Sequence, residues 1–391
     1  MHDSIIILEF IVFLVFAFNV LYLLIFSILS SLNKTEEKHV SEPQKKIAVL
    51  IPAYKEDNVI FGCVESCLKI KYPKDLYDIV VISDRMKPET IEKLHNLPIK
   101  LIEVFFEKST KSKALNYAMS QLEDYDIAVI LDGDNMVFED FLFNINDVFV
   151  TQPVKVLQTH RIAKNMNTDM AYLDALSEEI NNSIFRKGHS KVKLSAALIG
   201  SGMAFDYKLF KEIMANIDAI GGFDKALELT LMYNRIRIHY LHNTLVLDEK
   251  VQSVNDFSRQ RRRWISAQLH YFQRYIKYLV KAMVAGKIDF CDKLFQQISI
   301  PRIMLIGGIP IIAIVISIIS FDYAIKWWIL FAVVCIAMVL AIPRNLYSNS
   351  SRIFKAALKL PYYFFVFLGN IVHLRTANKT FIHTSHGIKE K

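Results

Sequence analysis

The sequence predicts an α/β domain built on a mostly parallel sheet and flanked by transmembrane and interfacial helices. Three observations predict it. From Ile47 onward, short apolar runs alternate with helix-like stretches, the pattern of a parallel sheet with crossover helices. Ile5–Leu32 is almost wholly apolar and long enough to cross a bilayer at about 1.5 Å per residue. A second apolar pair, Ile303–Ser320 and Trp327–Ile342, follows the α/β region. Hydrophobic residues make up 53% of the chain, yet 22% are charged, which suits a water-facing domain with spans attached.

Residues 1–33 read as an N-terminal transmembrane helix. A cleaved signal peptide would want a basic start and a shorter apolar run, but the chain opens Met-His-Asp. Lys34, Lys38, Lys45 and Lys46 follow the span, so the positive-inside tendency puts the next segment in the cytosol. Within the span, Glu9 is expected near the outer interface and Asn19 against another helix, with a polar pathway as the rival reading. Residues 34–46, polar and carrying Pro43, read as a linker.

Residues 47–265 read as the catalytic-size domain. Ile47–Ile51, Ile79–Ser83, Leu101–Phe106 and Ile127–Leu131 are strand-like, while Asp57–Lys69 and Lys113–Leu122 are helix-like. Ligands of such sheets bind at the carboxyl ends of the strands. Further along, Val154–Thr159 and Ala197–Ile199 suit strands, and Asp169–Phe185 suits a helix. Ile236–Tyr240 and Thr244–Leu247 suit a short strand pair.

From Arg259 to Phe290 the chain is basic and aromatic, as expected of helices on a membrane surface; residues 266–300 are assigned to them, with packing inside the domain as the alternative. Residues 301–343 form an in–out–in hairpin by the charges that flank them. In 344–391, Pro361–Leu374 is apolar but short, which favours an interfacial or re-entrant helix followed by a tail. These features describe a multi-pass protein of the inner or cytoplasmic membrane whose domain faces the cytosol.

The net charge of +8 suits phosphate-bearing partners such as nucleotides and anionic lipids. It does not argue for nucleic acid, because no long basic tract exists outside Arg259–Arg263. The four cysteines, Cys63, Cys67, Cys291 and Cys335, lack the spacing of a zinc site or a disulfide framework.

Two local patterns carry chemistry. Leu131-Asp132-Gly133-Asp134 follows an apolar strand, and two carboxylates so close can share a divalent cation; a plain acidic turn has the same composition. Gln260-Arg261-Arg262-Arg263-Trp264 offers donor forks for phosphate and an aromatic face for a sugar or base, or else a solvated basic helix start. Asp248-Glu249-Lys250 just before it reads as an ion network supporting the site, with direct substrate contact as the alternative. His160-Arg161 faces the cleft or forms a structural pair.

The ordered set resembles the membrane-bound glycosyltransferases of family 2, the group of cellulose, chitin and hyaluronan synthases. The resemblance runs from Pro52-Ala53-Tyr54-Lys55-Glu56, through Ser83-Asp84 and Lys111-Ser112-Lys113-Ala114-Leu115-Asn116, to Asp132-Gly133-Asp134. It continues through Gly200-Ser201-Gly202-Met203-Ala204-Phe205 to Gln260, Arg263 and Trp264.

The resemblance implies a Rossmann-like GT-A fold and an inverting transfer from a nucleotide-sugar, UDP-linked by analogy, with magnesium or manganese on Asp132 and Asp134. It implies donor contacts from Pro52, Tyr54, Glu56, Asp84, Lys113, Asp132, Gln260, Arg263 and Trp264, and acceptor-side roles for Gly202 and Trp264. One departure stands out. The family's acidic base motif is replaced by Gly221-Gly222-Phe223-Asp224-Lys225-Ala226-Leu227-Glu228. A two-residue shift makes Asp224 the base, with Glu228 as the alternative.

The expected partners are a nucleotide-sugar, a glycan or lipid-linked acceptor, and membrane lipids. The expected product is a single sugar addition. The rivals are a processive polysaccharide synthase and, from another class, a catalytically weak scaffold that keeps the fold. The tail Phe381–His386 resembles Phe-x-x-Thr-x-His tails of bacterial relatives and is expected either to fold over the donor site or to stay free.

Overall fold

A computed structural model describes residues 2–32, 41–219 and 221–372. Lys34 and Lys38 of the linker, and the tail with Phe381–His386, lie outside the described residues.

The strands are β1 (Ile47–Tyr54), β2 (Tyr77–Asp84), β3 (Lys100–Val104), β4 (Ile127–Ile130), β5 (Met136–Val137), β6 (Val156–Ala163), β7 (Met203–Asp206) and β8 (His239–Asp248). They form one eight-stranded sheet in the order β3-β2-β1-β4-β7-β6-β8-β5. The β3-β2-β1-β4 half is parallel. β7 runs antiparallel to both β4 and β6, and β8 is parallel to β6. The result is a mixed, mostly parallel α/β sheet of the GT-A kind.

The helices, in chain order, begin with α1 (His2–Ser31), α2 (Ile60–Leu68), α3 (Pro88–His95), α4 (Lys111–Gln121), α5 (Phe141–Thr151) and α6 (Asp169–Asn181). A π-helical stretch, Asn182–Gly188, leads from α6 into α7 (His189–Lys191). Then come α8 (Tyr207–Met214), α9 (Phe223–Tyr233), α10 (Val254–Tyr275), α11 (Leu279–Val284) and α12 (Ile288–Ile298). The last four are α13 (Arg302–Ile319), α14 (Phe321–Ala341), α15 (Ser350–Leu358) and α16 (Leu360–Val372).

Strand alternation sorts the core. In β1, Ala48 and Leu50 face one cluster, with Leu115, Phe205, Phe210 and Leu227. Ile47, Val49 and Ile51 face the other, with Ile60, Val64, Leu94 and Leu142. Because successive side chains point to opposite faces, this β-branched run fills both layers and needs helices on each side. A third cluster joins Val20 and Phe26 of α1 to Ile309 of α13, Trp327 of α14, and Ile180 and Ile184 near the end of α6.

α1, α13 and α14 are three helices long and apolar enough to cross a membrane. Glu9 of α1 pairs with Lys326 at 2.6 Å and accepts from the Trp327 indole at 2.5 Å, so this polar residue is matched by α14. Asn19 accepts from the Ile300 amide at 2.9 Å, which ties α1 to the chain entering α13. α16, with 13 residues, rises only about 20 Å and is shorter than a full span.

Some local expectations change. Ile236–Tyr240 and Thr244–Leu247 are not a strand pair. They belong largely to one strand, β8, whose register against β6 shifts between Thr159 and His160. The His160 and His242 rings stack there at 4.7 Å. Ala197–Ile199 is a loop, because side chains take its amides: Leu198 N bonds Glu228 and Ile199 N bonds Gln158. On α10, Ala267 and Tyr271 enter the sheet's core, whereas Val280, Met283, Val284 and Ile288 further on remain exposed.

Candidate active site

The register brings the polar residues to one sheet edge. Tyr54 at the end of β1 pairs with Asp84 at the end of β2. The Asp132–Asp134 turn follows β4, the central neighbour of β1. Asp248 ends β8 opposite Ala163. The short β5 runs back along β8, with Met136 against Leu247, and so presses Asp134 towards Asp248.

Asp132, Asp134 and Asp248 thus bring one oxygen each within 4.8 Å of one another. Asn135 organises the group. Its amide donates to Asp134 at 3.2 Å and Asp248 at 3.3 Å, while its oxygen accepts from the Asp132 amide at 3.0 Å and from Ser201. Cations stand around the cluster. Lys250 bonds Asp248 at 2.8 Å, Arg161 approaches it at 3.4 Å, and Lys111 pairs with Asp132. Lys111 also donates to the Gly200 carbonyl at 2.7 Å. A compact set of hard oxygen donors, open on the cleft side, fits a divalent cation shared with a diphosphate.

Behind this layer lies a buried ion network. Glu178 of α6 receives Arg161 at 3.2 Å and Arg186 at 3.3 Å. Burial opposes its ionisation, but the charges of Arg161, Lys250 and Arg186 outweigh that and hold its carboxyl well below the ordinary range. Asp84, by contrast, is raised above the usual range by burial, and its Oδ1 has no partner.

The Gly200–Gly202 turn works through its backbone. Gly202 has φ +60°, and a Cβ there would sit 2.6 Å from Thr159 Oγ1. Its carbonyl accepts from Thr159 N at 2.8 Å and from Thr159 Oγ1 at 2.7 Å. The turn faces α9, where a Cβ on Gly200 would lie 3.9 Å from Asp224. Burial raises the Asp224 carboxyl, with Glu228 adding to the shift and Lys225, 3.7 Å away, opposing it. Glu228 is committed elsewhere. It accepts from Leu198 N at 2.9 Å and faces Lys225 at 3.5 Å and the buried Lys293 at 3.8 Å.

One cavity of about 860 Å³ collects these groups. Pro52, Tyr54, Glu56, Asp84, Asp132, Asp134, Asp224, Glu228, Gln260, Arg263 and Trp264 all line it. Lys113 and Gly202 do not. Lys113 sits on the outer side of the first turn of α4, reaching the Lys108 carbonyl at 3.4 Å, and Lys111 takes the place inside. The N-cap explains this: Thr110 accepts from Lys113 N, which starts the helix at Lys111. Gly202 is sealed beneath its turn.

The sequence pattern did not point to Asp248 as a member of the acidic cluster. A signal existed, since Val246-Leu247-Asp248 repeats the form of Ile130-Leu131-Asp132, an acid directly after an apolar strand. Arg161, expected after its strand either at the cleft or in a structural pair, both lines the cavity and pairs with Glu178 and Asp248. Glu178 had no comparable signal, because only the crossing of α6 over β6 brings it there.

A mixed sheet with a parallel half, an acidic cluster on its carboxyl edge and a cavity beyond is the layout of the GT-A fold. The chain belongs to glycosyltransferase-like family 2, whose model matches residues 43–267. It is 24% identical over 255 residues to the "Probable glycosyltransferase YdaM" of Bacillus subtilis (strain 168), covering 60% of this chain and 58% of that protein. It is likewise 24% identical over 249 residues to the beta-monoglucosyldiacylglycerol synthase of Synechocystis, covering 60% of this chain and 50% of that one. The chain therefore spans between half and three-fifths of the length of these relatives. Among solved structures, the mannosyltransferase PcManGT of Pyrobaculum calidifontis, determined with GDP-Man and Mn2+, superposes with a TM-score of 0.52 at 15% identity. It covers 87% of this chain and 98% of that chain. The likeness is one of fold.

Proposed function

We propose that the protein is an inverting glycosyltransferase of the membrane-bound branch of its family, adding one sugar to a lipid-linked or growing glycan acceptor at the cytosolic membrane face. The observation that carries this reading is the continuity of the cavity. It joins Pro52, Asp84 and Asp134 at the sheet edge to Ile306 of α13 and Met338 of α14, among the apolar helices. A donor that is soluble and an acceptor that is membrane-held both need such a shared space. Lys45 and Lys46, after α1, support the cytosolic placement.

Pro52, Tyr54, Glu56 and Asp84 line the end of the cavity that meets the nucleotide in this reading, with UDP and GDP as the first candidates. Asp132, Asp134 and Asp248 would hold magnesium or manganese, which when bound offsets the charge of the departing diphosphate. Arg263 and Lys111 add fixed positive charge beside it. Asp224 takes the proton from the acceptor hydroxyl, a role suited by its raised pKa and its position at the cavity wall. Glu228, bound to Leu198 and two lysines, holds α9 in place. Trp264 offers the sugar an aromatic face. The exposed apolar residues of α11 and α12 suit a bilayer surface.

The test is a panel of radiolabelled nucleotide-sugars given to the detergent-purified chain with Mn2+ and membrane lipid extract. A lipid-soluble product one sugar larger than its acceptor supports the proposal. Long polymer would make the protein a processive synthase. Binding of no nucleotide, with Asp134→Ala indistinguishable from the parent, would leave a scaffold that keeps the fold.

A further inference from the structure

The cavity has a second end, away from the acidic cluster. Ile303 and Ile306 of α13, Met338 and Ile342 of α14, and Leu360 and Phe367 of α16 wall it with apolar side chains. At the junction of the two ends stands Arg302, the first residue of α13. Its guanidinium donates to Asn181 Oδ1 at 2.8 Å, the Ser177 carbonyl at 3.1 Å and Ser177 Oγ at 3.2 Å. All three acceptors are neutral.

The acids nearby are already engaged. Asp174 is bound by Arg261 at 2.7 Å, and Glu178 by Arg161 and Arg186. Among the described residues no carboxylate lies within ion-pair distance of Arg302. Asp174, Ser177 and Asn181 follow at spacings of three and four on α6, so they share one stripe of that helix. The two arginines are therefore laid side by side along it, and the Nε of Arg261 is buried without an acceptor. A partly buried cation without a counter-ion, beside an unsatisfied donor, leaves room for an anion from a ligand.

We infer that the acceptor is a lipid whose polar end carries a phosphate. The hydrocarbon occupies the apolar arm, Arg302 and Arg261 hold the phosphate, and the group to be glycosylated extends towards Asp224. A neutral glycerolipid would leave Arg302 without its counter-ion. This rests on the transferase reading above and deepens its acceptor. Arg302 is a binding residue for the phosphate and takes no part in the proton transfer.

The probes are farnesyl phosphate, farnesol and inorganic phosphate, titrated without donor into the full chain in detergent micelles by calorimetry. UDP and GDP with Mn2+ are titrated in parallel. Farnesyl phosphate is expected to bind about ten- to a hundredfold more tightly than farnesol, the range of a few charge-assisted hydrogen bonds. Inorganic phosphate is expected to bind far more weakly than either lipid probe. Arg302→Ala should bring farnesyl phosphate to the level of farnesol, and Arg302→Lys should restore part of the difference, both with unchanged nucleotide binding.

Equal binding of farnesyl phosphate and farnesol overturns the inference, as does full affinity in Arg302→Ala. Inorganic phosphate matching farnesyl phosphate would make this a free-anion site and also overturn it. If Arg302→Ala loses nucleotide binding through misfolding, the parent's preference and the Arg302→Lys variant decide. Failure of the parent to bind any nucleotide with Mn2+ sinks the transferase reading instead.

Discussion

At the residue scale, the site turns on which carboxylates are free to act. Asp224 and Glu228 sit one helical turn apart on α9, yet their surroundings separate them. Glu228 is 1% exposed and meets a backbone amide and two lysines, so Glu228→Gln would take the carboxylate from the buried Lys293 and leave it only Gln296 at 2.8 Å. We expect a loss of about 3–5 kcal/mol in thermal unfolding, the usual result of breaking a buried ion pair.

Asp224→Asn should instead leave the melting curve and donor binding near those of the parent. It should lower kcat by about 10²- to 10⁴-fold, the range of a lost general base. The proton-accepting form of Asp224 exists only above its pKa, and burial raises that pKa. In the parent, kcat/KM should therefore fall on acidification at a pH above the ordinary carboxylate range. A pH profile of Asp224→Asn that keeps this acid limb would refute the assignment. Asp248→Ala should weaken Mn2+-dependent nucleotide binding by at least about tenfold in calorimetry, since it removes one of three converging oxygens.

Much of this was legible in the chain. Asp132 and Asp134 stand directly after a strand, and Gln260, Arg263 and Trp264 share a basic-aromatic run, which lies inside α10 and not at its start. The choice of Lys111 over Lys113 was not, because both lie in the same short motif. Only the start of α4 at Thr110 turns the first lysine into the cavity and the second away from it.

At the element scale, the contact between α1 and the π-helical stretch Asn182–Gly188 couples this long apolar helix to the α/β domain. Gly188 meets the Phe26 backbone so closely that a Cβ there would lie 2.4 Å from the Phe26 carbonyl oxygen. The His189 ring stacks on Phe26 at 3.7 Å, and Tyr22 bonds His189 at 2.8 Å and Asp292 at 2.6 Å. Gly188→Ala should cost about 1–3 kcal/mol, as forced overpacking does, read as a lower thermal midpoint. An unchanged midpoint would mean that α1 docks without this close approach.

The helical reading of Asp169–Phe185 foresaw α6 but not the widened turn after it. A π-helical turn arises from packing, here from the need to fit Gly188 under α1, and hydrophobic period alone does not encode it. The same holds for β8. Two apolar runs flank His242 and Asn243, and pairing with β6 makes them one strand with a register shift.

At the scale of the whole molecule, the long apolar helices form part of the cavity wall as well as flanking the domain. Asn19, Tyr22 and Leu23 of α1 line the same cavity as the acidic turn more than a hundred residues away in sequence. Replacing α1 with an unrelated apolar helix of equal length should keep the protein in carbonate-washed membranes but abolish sugar transfer. Transfer retained at the parent's rate would reduce α1 to a tether. The third hydrophobic cluster, which unites α1, α13 and α14 with the end of α6, is the physical link through which this dependence acts.

The sequence by itself determined the α/β class, the apolar helices and the order of the motifs. Each of these is written in short-range patterns: alternation along a strand, an unbroken apolar run, an acid after a strand, a basic-aromatic run. Only the tertiary structure decided that Asp248 completes the acidic cluster, that Glu228 is held by a backbone amide and lysines while Asp224 faces the Gly200 turn, and that the cavity continues to Arg302 and the long apolar helices. Those facts depend on strand register and on helices crossing at a distance in sequence, where burial and long-range pairing set the chemistry and no local pattern records them.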